Sequence, residues 1–164
     1  MKTITTMFGM TLMLMSTISL ARDLIGSIVP PFPDELKNEG GACISRSLGA
    51  DKVCEFSIGV LRGLSGRLLY VGKSAPRTDP KKARWLVTDA MPYPTVPRGH
   101  QVIFGGCQRN GLSNEAILAV AKTTDTEWYN VIRFAYEVNL NTGLFEETSP
   151  VGIRCINEGW GYDA

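Results

Sequence analysis

The chain has a single histidine, no two cysteines at C-x2–4-C spacing, no excess of either charge, and no long apolar run after its first twenty residues. Each shortage excludes a class of function. Structural zinc takes four ligands, mostly closely spaced thiolates and imidazoles, so the four cysteines do not read as a metal site and no metal or cofactor is expected. With 17 basic against 16 acidic residues, nothing pulls the chain toward a phosphate backbone or an anionic membrane. No nucleic acid is expected as a partner.

Catalytic signatures are equally scarce. Gly72-Lys73-Ser74 resembles the end of a phosphate loop, but Arg67 stands where that motif needs its first glycine. Any Ser-His-Asp or Cys-His site must use His100, with Asp89 the nearest carboxylate in sequence and Ser113 or Cys107 as nucleophile. Neither nucleophile lies in a G-x-S-x-G elbow. Glycoside hydrolysis needs two acids roughly 5–10 Å apart. Asp89, Glu115, Asp125, Glu127, Glu137, Glu146, Glu147 and Glu158 are available, yet spacing selects no pair among them. The adjacent Glu146 and Glu147 point to opposite faces of a strand, and a solvated strand face is the ordinary fate of such acids.

What is present begins with an export signal. Lys2 supplies a positive start, Met7 to Met15 is almost wholly apolar, and Ser19-Leu20-Ala21 is a small-x-small cleavage site. Residues 1–21 therefore read as a cleaved signal peptide. A retained anchor would want about 20 strongly apolar residues, whereas Thr5, Thr6, Thr11, Ser16, Thr17 and Ser19 interrupt this run. The expected localisation is periplasmic or secreted, with no stable membrane insertion after cleavage.

Export places Cys43, Cys54, Cys107 and Cys155 where disulfides persist. Of the three pairings, 43–54 with 107–155 is favoured, because the first two are close in sequence and the last two lie in strand-like segments. On loop entropy the 107–155 link contributes about 4 kcal/mol and the shorter one about 3 kcal/mol.

Three regions follow the signal. Residues 22–41 read as a proline-rich arm (Pro30-Pro31-Phe32-Pro33) that lies over the domain or orders loosely, with one helical turn over Asp34–Asn38 stopped by Gly40-Gly41. Residues 42–164 read as one disulfide-linked, antiparallel, mainly β domain of six or seven strands, arranged as a meander, a sandwich or a partly open barrel. A short helix is expected around Ser45–Leu48. Strands are expected at Arg67–Val71, Arg84–Thr88, Gln101–Phe104, Leu144–Thr148 and Val151–Cys155, with loops at Lys73–Lys82 and Met91–Gly99. Asn114–Lys122 suits either a helix or a buried strand and is read as a strand.

Trp128–Leu140 carries the clearest period of two. It places Ile132, Phe134, Tyr136, Val138 and Leu140 on a buried face, and Val131, Arg133, Ala135, Glu137 and Asn139 on a polar outer one. Asn141-Thr142-Gly143 reads as the following hairpin loop.

A small exported β domain without a catalytic signature is expected to bind, as an inhibitor or immunity-type partner of another envelope or extracellular protein, or of a glycan. The alternative is a small extracytoplasmic hydrolase of cell-wall or glycan substrate. Tyr93, Trp128, Tyr129, Trp160 and Tyr162 are the candidate binding residues, since Trp and Tyr concentrate affinity at interfaces. Trp160 is equally placed to cap one end of the domain. The basic loop Arg77, Lys81, Lys82 and Arg84 reads as solvated.

Overall fold

The fold is known from a computed structural model, which describes residues 21–46, 54–77, 79 and 81–161. Residues 1–20 of the expected signal peptide 1–21, together with Leu48 and Tyr162, lie outside the described residues. Thirteen strands form three antiparallel sheets. The first sheet contains β1 (Ile28–Val29), β5 (Trp85–Pro92), β4 (Gly66–Ser74), β3 (Phe56–Gly63) and β2 (Lys37–Ile44), in that spatial order. The second runs β12 (Phe145–Thr148), β11 (Ile132–Val138), β9 (Ile117–Lys122) and β6 (His100–Phe104). The third is small: β10 (Trp128–Tyr129), β13 (Ile153–Ile156), β7 (Cys107–Arg109) and β8 (Leu112–Ser113). The count exceeds the six or seven expected because β1, β7, β8 and β10 are pairings of only two or three residues and because β2 and β3 lie in segments not read as strands.

Apolar burial organises these sheets in layers. The first two curl around a central core containing Phe56, Ile58, Val60, Leu69, Val71, Leu118 and Val138. The outer face of the first sheet is covered by the N-terminal segment, where Ala21, Leu24, Val29 and Leu36 pack on Leu61, Leu68, Tyr70 and Val87. The third sheet packs on the back of the second through Cys107, Cys155 and Ile153 against Ile117, Ala119 and Ala135. Both disulfides have the expected pairing, Cys43–Cys54 and Cys107–Cys155. Among the described residues no helix is long and apolar enough to cross a membrane.

This layering explains where the chain departs from its sequence pattern. The segment expected to lie over the domain or order loosely does cover the first sheet, and it also supplies sheet structure: Ile28 and Val29 pair with Leu86 and Trp85, and Lys37 to Ile44 pairs along β3. Asp34–Asn38 does not form the expected helical turn. The Leu36 amide closes a tight turn on the Pro33 carbonyl at 2.9 Å, and the chain is extended from Lys37. Gly40-Gly41 does not stop a helix but carries a bulged strand, with Gly40 at φ 128° and a register shift between Asn38 and Gly40.

β9 is buried on both faces, and Ile117 to Ala121 are all fully inaccessible. A strand covered on both sides reads as a continuous apolar run, which is why its sequence also suited a helix. The same cover corrects the reading of Trp128–Leu140. Its expected polar face meets the third sheet, so Ala135 is fully buried, and the strand is broken between β10 and β11. A bulge between Ile132 and Phe134 turns Ile132 to the side of Ala135. Beyond it, Tyr136, Val138 and Leu140 meet the central core as expected.

Glycine makes one close approach necessary. Gly59 lies opposite Tyr70, and a Cβ there would stand 2.1 Å from the tyrosine ring. Tyr70 therefore lies flat over Gly59, where burial pushes its phenol up to about 12.

Candidate functional site

The two curled sheets meet along two seams. At one, β5 faces β12, and side chains join them. Thr88 Oγ1 donates to the Gly143 carbonyl at 2.7 Å, and the Phe145 amide donates to Asp89 Oδ2 at 2.8 Å. At the other, β2 and β6 are both edge strands and no backbone ladder joins them.

Hydrogen-bond phase fixes what these edges present. The Thr123 amide bonds the Gly99 carbonyl in the register of β6 with β9, so the bonded pairs of that ladder involve Gln101 and Ile103. Val102 and Phe104 then direct their N–H and C=O groups away from β9, since alternate residues of an antiparallel strand face opposite edges. On β2 the Ile44 carbonyl accepts from the Glu55 amide, which assigns Ala42 and Ile44 to β3. Gly41 and Cys43 accordingly face outward. The next outward group in this phase, the Ser45 amide, is met by Glu115 Oε2 at 3.3 Å, so the seam closes at that end.

Between these edges lies a cavity of about 580 Å³ lined by Gly41, Ala42, Gln101–Gly105, Tyr129 and Ile156–Gly159. The edges converge at Gly105, where a Cβ would stand 2.8 Å from the Ala42 methyl. A second cavity of about 670 Å³ adjoins it and shares Tyr129, Asn157 and Gly159. Thr123, Thr124, Asp125, Trp160 and Gly161 complete its lining.

Asn157 holds this region together. Its amide donates to the Glu127 carbonyl at 2.8 Å, and its side chain donates to the Thr126 carbonyl at 3.1 Å. Its Oδ1 accepts from the Gly159 amide, and its carbonyl accepts from the Trp160 amide.

The four candidate aromatic residues among the described residues are dispersed. Tyr129 is buried beneath the junction of the two cavities, and Trp160, half-exposed, lines the second. Trp128 is stacked under the Arg154 guanidinium at 4.4 Å, with Arg154 also bonded to Gln108 at 2.8 and 3.0 Å. Tyr93 packs on the central core with Arg67 4.6 Å above its ring. Burial raises the Tyr93 phenol, opposed by the nearby Arg67 charge.

The catalytic candidates also separate. His100 starts β6, with Nδ1 3.2 Å from the Arg98 carbonyl, and lines neither cavity. Cys107 is committed to its disulfide. Glu146 lies directly opposite Glu137, and Glu137, Glu146 and Glu147 all line a cavity of about 380 Å³. Glu137 is held there by Arg109 at 3.1 Å and Asn114 at 2.8 Å. It joins β11 to the third sheet as an ion pair. No group of three or more His, Cys, Asp or Glu side chains among the described residues can hold a metal.

Sequence reasoning missed the edge residues altogether, because they act through main-chain groups. Gly40-Gly41-Ala42 was their one sequence signal, since small residues permit close backbone approach. In comparison with known proteins, no family model matches the chain, and no curated protein or solved structure matches it.

Proposed function

We propose that this chain is an exported, disulfide-braced binding protein that captures an extended segment of another polypeptide by strand addition between β2 and β6. One observation carries the reading: two sheet edges, outward-facing at Gly41 and at Val102 and Phe104, border a single cavity. Their alternating donors and acceptors match a main chain, which repeats the same groups at strand spacing. A glycan offers hydroxyls without that repeat. Each main-chain bond contributes about 1 kcal/mol, and a segment with both edges paired makes twice the bonds of one added to a single edge. The two disulfides support export into an oxidising compartment. The hydrolase alternative gains less support, because both carboxylate oxygens of Glu137 are already engaged.

Selection of displayed decapeptides against the oxidised protein, followed by amide hydrogen exchange with the selected peptide bound, tests the proposal. Slowed exchange is expected at Gly41, Cys43, Val102 and Phe104. A Val102→Pro variant removes an outward N–H, a substitution edge strands tolerate, and should lose at least tenfold in peptide affinity while staying folded. Unchanged exchange at all four amides, or undiminished binding by that folded variant, would rule strand addition out.

A further inference from the structure

We infer that the captured segment carries a basic side chain, received in the second cavity between Trp160 and Asp125. The inference rests on the strand-addition reading and deepens it. Among the described residues, the only charged side chains lining the trough formed by the two adjoining cavities are Asp125 and Glu158, both acidic, and no Lys, Arg or His lines it. Neither carboxylate has an ion-pair or hydrogen-bond partner from its side chain among the described residues.

The aromatic residue beside Asp125 points the same way. Trp128 and Tyr93 each have a guanidinium of the protein's own over the ring. Trp160 has none among the described residues, and it is half-exposed at the cavity wall. Its position is set, because the Trp160 amide is bonded to Asn157, which is itself tied to the 124–127 segment. A tryptophan and a carboxylate lining one cavity recognise a cation, the ring through its quadrupole and the acid through its charge. An ammonium or guanidinium at the end of a flexible stem reaches this wall from a main chain paired in the first cavity, since Tyr129, Asn157 and Gly159 border both.

The test uses one extended Thr/Val decapeptide with Lys, Gln or Glu at a single central position, titrated against the oxidised protein. The Lys peptide should bind about tenfold more tightly than the Gln peptide, and the Glu peptide more weakly than either. In Asp125→Asn, an exposed substitution, and in Trp160→Ala, the ratio of Lys-peptide to Gln-peptide affinity should shrink severalfold. Equal binding of all three peptides, with edge amides protected, would overturn the basic-residue inference and leave strand capture standing. Binding of none of them, alongside failure of the displayed decapeptides, would overturn both.

Discussion

The seam between β5 and β12 and the seam between β2 and β6 solve the same geometric problem in opposite ways. Both are places where two curled sheets end without a shared ladder. At β5 the gap is bridged by side chains: Asp89 accepts the Phe145 amide and Thr88 donates to the Gly143 carbonyl. At β2 and β6 the edges present main chain, and of the lining residues on them, Gly41 and Ala42 on β2 and Gln101 to Phe104 on β6, only Gln101 has a polar side chain. The difference teaches that the open seam is not simply a failure of closure. A short polar side chain in the right place closes such a gap, as Asp89 does, and the β2–β6 margin carries none at Gly41 or Ala42. Edges left in this condition invite another strand.

Removing the closed seam's main bridge should have the largest effect. Asp89→Ala leaves the Phe145 and Ala90 amides without the carboxylate that accepts both, and a partly buried donor left unmet is costly. Denaturant unfolding should show a loss of about 3 kcal/mol, with faster amide exchange at Phe145. A loss within error would mean that the core alone holds this seam and that the contrast between seams is not one of hydrogen bonding.

The open seam should respond to a smaller push. Gly105 has φ 85°, and an added methyl would meet Ala42. Gly105→Ala should cost about 2 kcal/mol from the left-handed backbone and the contact together. Exchange should quicken in β2 and β6 but not at Phe145. If Phe145 quickens equally, the two seams open as one unit.

Much of the fold was legible because it rests on side-chain pattern. The disulfide pairing followed from strand-like context around Cys107 and Cys155, and the hairpin at Asn141-Thr142-Gly143 from the need for positive φ, observed at Gly143 as 74°. What was not legible depends on what covers a segment. Ala135 alternates with apolar neighbours as a solvent-facing residue would, and only the third sheet makes it core. Gly40 and Gly41 look like a helix stop until β3 is present to pair with them. The site was less legible still. Of the named aromatic residues that are described, only Tyr129 and Trp160 border the trough, and the groups that define its edges are main-chain atoms that every residue but proline carries.

The smallest effect distinguishes bridging by chemistry from bridging by shape. Thr88 is the extra residue where β5 shifts register against β4, between the Val71–Asp89 and Gly72–Val87 pairs. That bulge sends its hydroxyl toward Gly143, and a Cβ on Gly143 would stand 2.6 Å from Thr88 Oγ1, so the two chains are in van der Waals contact as well as bonded. Thr88→Val keeps the volume and removes the donor, leaving the carbonyl of the buried Gly143 without it. A loss of about 1 kcal/mol is expected, with exchange changed only around residues 143–145. No measurable loss would show that packing against Gly143 closes this seam, and that the open one differs from it in shape rather than in the polar groups along its margin.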